Sequence, residues 1–144
     1  AVKQFYSETV WGDLDYLFVD MPPGTSDIQL TVLNNIPLTG VVMVSSPQDL
    51  VSMVVSKCVN MVNKVNVPIV GIVENMAYVK CPCCGNKIEI YGKSHLNDIS
   101  LKYHLVPLAS LGIDSELTKL MDDGKIEEYD TNELDLAISQ IKML

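Results

Sequence analysis

Three short, almost unbroken apolar runs constrain this chain most: Asp15 to Asp20, Thr39 to Ser45 and Val67 to Val73. A strand with one face in water alternates apolar and polar residues. A strand apolar on both sides belongs in a parallel sheet covered on both faces. His104 to Ala109 is a fourth, shorter strand candidate. Strands of this kind need crossover connections, so the segments between them should be helical and the sheet doubly wound.

The intervening sequence agrees. Pro47 suits a first helical position and Asp49 the first turn. Val51, Val54, Val55, Cys58, Val62 and Val65 then recur at helical spacing as one buried stripe. Asp27 to Leu33 reads as a shorter helix, with Ser26 or Asp27 as its cap. Asp114 to Asp122 reads as another, with Gly124 as its stop. Asp130 and Glu133 have capping-box spacing, followed by Leu134, Ile138 and Ile141 as the apolar side of a last helix. No internal repeat or linker interrupts residues 1–144, which read as part of a single domain. In an open α/β sheet, ligands gather at the carboxyl ends of strands. Asp20, Ser45-Ser46 and Glu74-Asn75 fall at such ends.

Between Tyr78 and Tyr91 the pattern changes. Two strand-like runs, Ala77 to Lys80 and Lys87 to Ile90, flank Cys81-Pro82-Cys83-Cys84-Gly85. This predicts a small hairpin tipped by cysteines. Cys-x-x-Cys spacing brings two thiolates onto one metal while backbone N–H groups point at the sulfurs. Cys81 and Cys84 have that spacing, and Cys83 is an extra thiol between them. A redox motif of this spacing opens a helix, whereas this one caps a hairpin. A closed zinc site needs four ligands. The other candidates are Cys83, Cys58, His95 and His104, but Cys58 lies on the helical stripe and neither histidine is in ligand spacing. The pair is then a half-site. Two copies across a two-fold axis supply four thiolates, which suits a [4Fe–4S] cluster, or zinc as a substitute.

The run ending at Asp20 continues as Met21-Pro22-Pro23-Gly24-Thr25-Ser26-Asp27. An acid at the end of a buried strand can hold a Mg²⁺-bound water. Pro22-Pro23-Gly24 forces a turn in which a glycine N–H can approach a γ-phosphate, although a purely structural turn has the same composition. Asn75, at a later strand end, can offer an amide to an adenine edge or serve only the turn. No Gly-rich, Lys-containing phosphate loop occurs in the sequence.

Composition removes other classes. The formal net charge of −8 argues against a nucleic-acid partner, which needs a basic face. All ten basic side chains are Lys, so the chain contains no arginine finger or bidentate guanidinium clamp. No apolar stretch is long enough to span a bilayer, and no secretory signal is visible, so the cytoplasm is the expected compartment. Four Cys without such a signal read as thiols or metal ligands rather than disulfides.

Together the motifs resemble a known family. Trp11 through Asp27 looks like the switch II region of Mrp/ApbC-type P-loop ATPases, relatives of MinD and ParA. Val73-Glu74-Asn75-Met76-Ala77-Tyr78, followed by Cys81 to Gly85, looks like their adenine-contact strand and cluster-binding knuckle. Pro107 to Ser110, leading to Ile113-Asp114, matches their last strand and its loop. The resemblance implies a homodimeric ATPase that binds a [4Fe–4S] cluster between protomers and transfers it to apo-proteins. It also implies that Asp20 binds the Mg²⁺ shell, Gly24 senses the γ-phosphate, Asn75 contacts adenine, and Cys81 and Cys84 ligate the cluster. Against the family pattern, the phosphate loop, first strand and switch I are absent, and Cys83 is additional. The fold expected is an incomplete P-loop NTPase domain, its C-terminal part, with a small Cys-containing hairpin. ATPase activity in this chain alone should be slight. A non-enzymatic zinc-binding interaction module is the alternative. A partitioning ATPase without metal is disfavoured by the knuckle, and the last helix carries no basic face for a membrane.

Overall fold

The structure is a computed structural model that describes residues 2–144, with the side chains of residues 49–52 outside the description. Its elements run α1 (Val2–Glu8), α2 (Asp27–Asn35), β1 (Val41–Ser45), α3 (Asp49–Lys64), β2 (Ile69–Lys80) and β3 (Lys87–Ile88). They continue with α4 (Leu96–Tyr103), β4 (Pro107–Ile113), α5 (Ser115–Asp122), a 3₁₀ turn (Ile126–Glu128) and α6 (Asp135–Ile141).

β2 is the central strand. It pairs in parallel with β1 on one edge and with β4 on the other, and its last two residues pair antiparallel with β3. Val79 is bridged to both Ile88 and Ile113, so β3 lies on the same edge of β2 as β1, farther along. Both faces are covered. Leu33, Met43, Val55, Val59, Val62, Ile72, Leu96 and Ile99 form one core cluster beneath α2, α3 and α4. Val70, Val73, Leu108, Ala109 and Ala137 form a second, beneath α6. The apolar run at the start of β2 therefore has the two-sided burial that its composition requires, whereas β1 is covered less fully, with Val44 65% exposed.

Three expectations need correction. Residues 15–20 form no strand, and every side chain among them is exposed, Phe18 at 76%. An apolar run becomes a buried strand only when neighbouring strands take up its N–H and C=O groups, and this run is paired to none of the four strands. Tyr16 and Phe18 stack on each other instead, with ring centroids 6.4 Å apart. In α3 the buried stripe is Val55, Val59 and Val62, with Cys58 and Val65 packed at its edge. Val54 is 42% exposed, and the Val51 side chain lies outside the described residues. Pro47 is fully buried two residues ahead of the helix, which is capped by Gln48.

The third correction is at the last helix. Asp130 and Glu133 do not form a capping box: α6 starts at Asp135 behind Leu134. Glu133 bonds to Tyr78 instead. Ala137 carries the buried contact of α6, with Leu134 and Ile141 at its margins and Ile138 exposed. Helices α1 and α4 were not anticipated. In α4 the Ser94 hydroxyl accepts the Leu96 N–H at 3.3 Å, a cap available in the sequence. No helix among the described residues is long and apolar enough to cross a membrane.

Candidate functional site

Two sites lie at successive levels of β2. The first is a groove of about 1370 Å³ beside β1. Residues 15–24 line one wall and residues 39–46 another, with Asn75 and Met76 contributing from β2. Asp20, Gly24 and Asn75, separated by 55 positions from first to last, thus line one cavity together with Ser45 and Ser46. Cys81 and Cys84 are not among its lining residues.

The turn at Pro22 to Gly24 is held by a residue that sequence reading missed. Gln29 is 3% exposed. Its Oε1 accepts the Ser26 N–H at 2.6 Å and the Ser26 hydroxyl, and its amide nitrogen donates to the carbonyls of Pro22 and, at 3.2 Å, Gly24. The Ser26-x-x-Gln29 spacing of a capping box was the available signal. The Cys58 thiol also reaches the Gly24 carbonyl, at 3.4 Å, and burial raises its pKa, as suits a packing residue. Gly24 has φ +90°, a conformation that L side chains rarely adopt. The turn is thus set by backbone conformation and by bonds from α2 and α3.

Asn75 Oδ1 accepts the Met76 N–H at 2.9 Å. That bond fixes the amide orientation, because the N–H can only meet the oxygen, and it leaves the NH₂ group as the outward donor. Met76 itself has φ +57°, and the β2–β4 register shifts between Glu74 and Tyr78. Glu74, in register with Ser45 and Ser110, is 1% exposed. Its Oε1 accepts the His95 N–H at 3.1 Å, and its Oε2 has no hydrogen-bond partner among the described residues.

The second site is the hairpin tip. β2 runs directly into Cys81, whose N–H donates to Asn86 at 2.9 Å and whose carbonyl accepts the Gly85 N–H at 2.8 Å. The backbone N–H groups of Cys83 and Cys84, then the Cys84 side chain, hold the Cys81 thiol below its ordinary pKa. This favours thiolate, the metal-binding form. Cys83 and Cys84 are exposed and all four cysteines are free. No set of three or more Cys, His, Asp or Glu among the described residues is arranged to hold a metal ion. Cys58 packs against the core of the sheet, and His104 is the exposed C-cap of α4 in a left-handed conformation. His95 caps the start of α4.

The hairpin is anchored at its base. The Tyr78 hydroxyl donates to Glu133 at 2.8 Å, Lys80 pairs with Glu133 at 3.6 Å, and the Lys87 ammonium sits 3.9 Å above the Tyr78 ring centre. Burial, followed by the Glu133 carboxylate, pushes the Tyr78 phenol up to about 12.

The chain as a whole is similar to known proteins. A family described as the NUBPL iron-transfer P-loop NTPase, within ParA, matches residues 1–143. An iron-sulfur cluster carrier protein of Clostridium perfringens is 45% identical over 129 residues, which cover 90% of this chain and 45% of that protein. The iron-sulfur cluster carrier protein of Escherichia coli K12 is 44% identical over 124 residues, covering 86% and 34%. The mouse iron-sulfur cluster transfer protein NUBPL is 40% identical over 125 residues, covering 87% and 39%. The chain thus spans between about a third and a half of the length of these relatives. A nucleotide-binding protein of Archaeoglobus fulgidus, solved in complex with ADP and with Co, superposes with a TM-score of 0.82 at 40% identity, over 91% of this chain and 54% of that one.

Proposed function

The chain belongs to the NUBPL iron-transfer P-loop NTPase family, and on that premise we propose that it is the C-terminal part of the single nucleotide-binding domain of an ATP-dependent, Mrp/ApbC-type iron–sulfur cluster carrier. In this reading two protomers hold one [4Fe–4S] cluster between their Cys81 and Cys84 thiolates and pass it to apo iron–sulfur proteins in the cytoplasm. The observation that carries it is the knuckle. Two cysteines in ligand spacing sit at the tip of a braced hairpin, and the Cys81 thiol is lowered by backbone donors. Thiolates are the donors that iron–sulfur clusters take. With no third ligand gathered among the described residues, a two-fold partner is the simplest source of the other two.

The groove suits the nucleotide. Asp20 would offer a carboxylate for Mg²⁺-bound water, and Gly24, in a turn fixed by Gln29, would offer its N–H to the γ-phosphate. Asn75 presents an NH₂ donor to an adenine ring nitrogen. When bound, ATP with Mg²⁺ supplies a phosphoryl group whose hydrolysis drives a switch. Phosphate binding needs a Gly-rich cradle and a Lys, and no Gly-rich, Lys-containing loop occurs in this sequence. This chain alone therefore hydrolyses ATP little, and catalysis depends on positioning and electrostatics more than on a general base within these residues. β2 joins the two sites: Asn75 lies on the strand, and Cys81, six positions on, directly follows its last residue. Movement of the 20–24 turn on hydrolysis would be felt along that strand at the cluster.

The test is anaerobic reconstitution with iron and sulfide, read by visible absorption and by iron, sulfide and zinc content, beside a Cys81→Ala/Cys84→Ala variant. The expected result is an iron–sulfur absorption band with one cluster per two chains, absent in the variant. Zinc alone, retained against added iron, would favour a structural knuckle without carrier chemistry.

A further inference from the structure

Tyr78, Glu133 and Lys87 form a clamp across the base of the cysteine hairpin. Tyr78 lies three residues before Cys81 on β2, and Lys87 lies three residues after Cys84 on β3. Both reach the same ring: Tyr78 is 3% exposed, and the Lys87 ammonium sits 3.9 Å above its centre. Beneath the ring is Gly112 of β4, where an added Cβ would come within 2.7 Å of Tyr78 Cε2. The third component comes from a distant part of the chain. Glu133 accepts the Tyr78 hydroxyl at 2.8 Å and pairs with Lys80 at 3.6 Å, 55 and 53 positions away in sequence.

Glu133 is itself held. The Thr131 hydroxyl accepts its N–H at 3.2 Å, and Tyr129, on the same segment, donates to Asp114 at 2.9 Å. Asp114 also accepts the Glu116 N–H at 2.8 Å as the cap of α5. These bonds tie residues 129–133 to the end of β4. The hairpin ladder contributes only two bridged pairs, Val79 with Ile88 and Lys80 with Lys87, and a ladder that short is marginal by itself. A ring gripped from one hairpin arm and from two other elements supplies the rigidity that the ladder lacks. A phenol–carboxylate bond, here half-buried, is also stronger than a neutral pair.

We propose that Tyr78 and Glu133 are positioning residues for the knuckle, setting the hairpin so that the Cys81 and Cys84 sulfurs present a fixed geometry to the metal, with Lys87 securing the second arm. The inference rests on the reading of Cys81 and Cys84 as ligands. It predicts that the C-terminal segment, remote from the cysteines in sequence, controls metal affinity at the tip.

The test uses the full chain and Co²⁺ as the probe, titrated anaerobically and followed by thiolate-to-cobalt charge transfer and the d–d bands. Wild type should bind, and Cys81→Ala should not. Tyr78→Phe keeps the ring and removes the hydroxyl, and Glu133→Gln removes the charge. Each should weaken Co²⁺ binding about 10-fold, the lower end of what outer residues contribute at metal sites, with altered d–d bands and a thermal midpoint near wild type. The double variant should be little worse than either single one, because the two act through one bond. Glu133→Asp should recover part of the loss. Lys87→Met, a change at an exposed position that leaves the core intact, should weaken binding about 3-fold by removing the cation over the ring. It serves as the deciding variant if the others fail to fold. Wild-type affinity and bands in folded Tyr78→Phe, Glu133→Gln or Lys87→Met chains overturn the clamp while leaving the ligand assignment standing. Absence of cobalt binding in wild type, or its persistence in Cys81→Ala, overturns the ligand assignment and the clamp with it.

Discussion

The hairpin at the end of β2 and the groove beside its middle depend on the chain in opposite ways. The hairpin has its three thiols within four residues, its turn closed by Cys81–Gly85 and Cys81–Asn86 bonds, and its base gripped by Tyr78, Lys87 and Glu133. The groove has its carboxylate and its glycine on one segment and its amide on another, 51 positions farther along the chain. One wall, residues 15–20, has no strand partner and only exposed side chains. A metal half-site can be written into a short local motif and then stiffened. A nucleotide site in an α/β sheet is assembled from several strand ends, and it is no more ordered than the least supported of them.

The largest effect that would break this contrast is at the proposed ligands. Cys81→Ala or Cys84→Ala should abolish cluster or cobalt binding and leave the far-UV circular dichroism unchanged, because both thiols lie outside the core clusters. Next is Ile72→Ala at the centre of the sheet, where the side chain is fully buried. A loss of about 2–5 kcal/mol in urea unfolding is expected there, affecting both regions together because β2 carries both. A smaller and local effect is expected at Gln29→Ala. Losing its bonds to the Pro22 and Gly24 carbonyls should cost about 1–3 kcal/mol and speed amide exchange in the 22–26 turn, with cobalt binding unaffected. A change in cobalt affinity there would show that the two regions are coupled even without nucleotide.

The smallest effects are those of pH. The Tyr78 and Tyr129 phenols are both pushed up to about 12, the first by burial and Glu133, the second chiefly by the Asp114 carboxylate. A phenol whose folded pKa exceeds its unfolded value of about 10 contributes stability that is fully present below pH ~10. That contribution is lost as pH rises through about 12. Absorbance at the phenolate band should show two of the six tyrosines titrating late, one of them removed by Tyr78→Phe. Asp114 has the opposite sign. The Glu116 N–H, followed by the Tyr129 hydroxyl, holds it below its usual value, so its contribution is present above the ordinary carboxyl range and lost in acid.

The same contrast explains what could be read from the residues alone. Val41 to Ser45 and Ile69 to Val73 were legible as parallel strands because each apolar run finds a parallel partner, although two-sided burial is met in β2 and not in β1, where Val44 is exposed. Asp15 to Asp20 has the same composition, but strand pairing is a property of neighbours and cannot be read from the run itself. The cysteine-tipped hairpin was legible because its two arms and its turn are adjacent in sequence. Glu133 was misread because its spacing from Asp130 suggested a local cap, whereas a buried phenol 55 positions away made the better bond. Glu74 gave no sign of its burial, since an acid after an apolar run normally marks a strand end, and β2 instead continues six residues to Lys80.

The most direct test of the central claim is the mass of the chain with and without its cargo. Sedimentation equilibrium on the anaerobically reconstituted chain, before and after iron chelation, should show a dimer carrying one cluster that dissociates when the iron is removed. A cluster-loaded monomer, or a dimer indifferent to iron and to the loss of Cys81 and Cys84, would contradict a cluster shared between two knuckles.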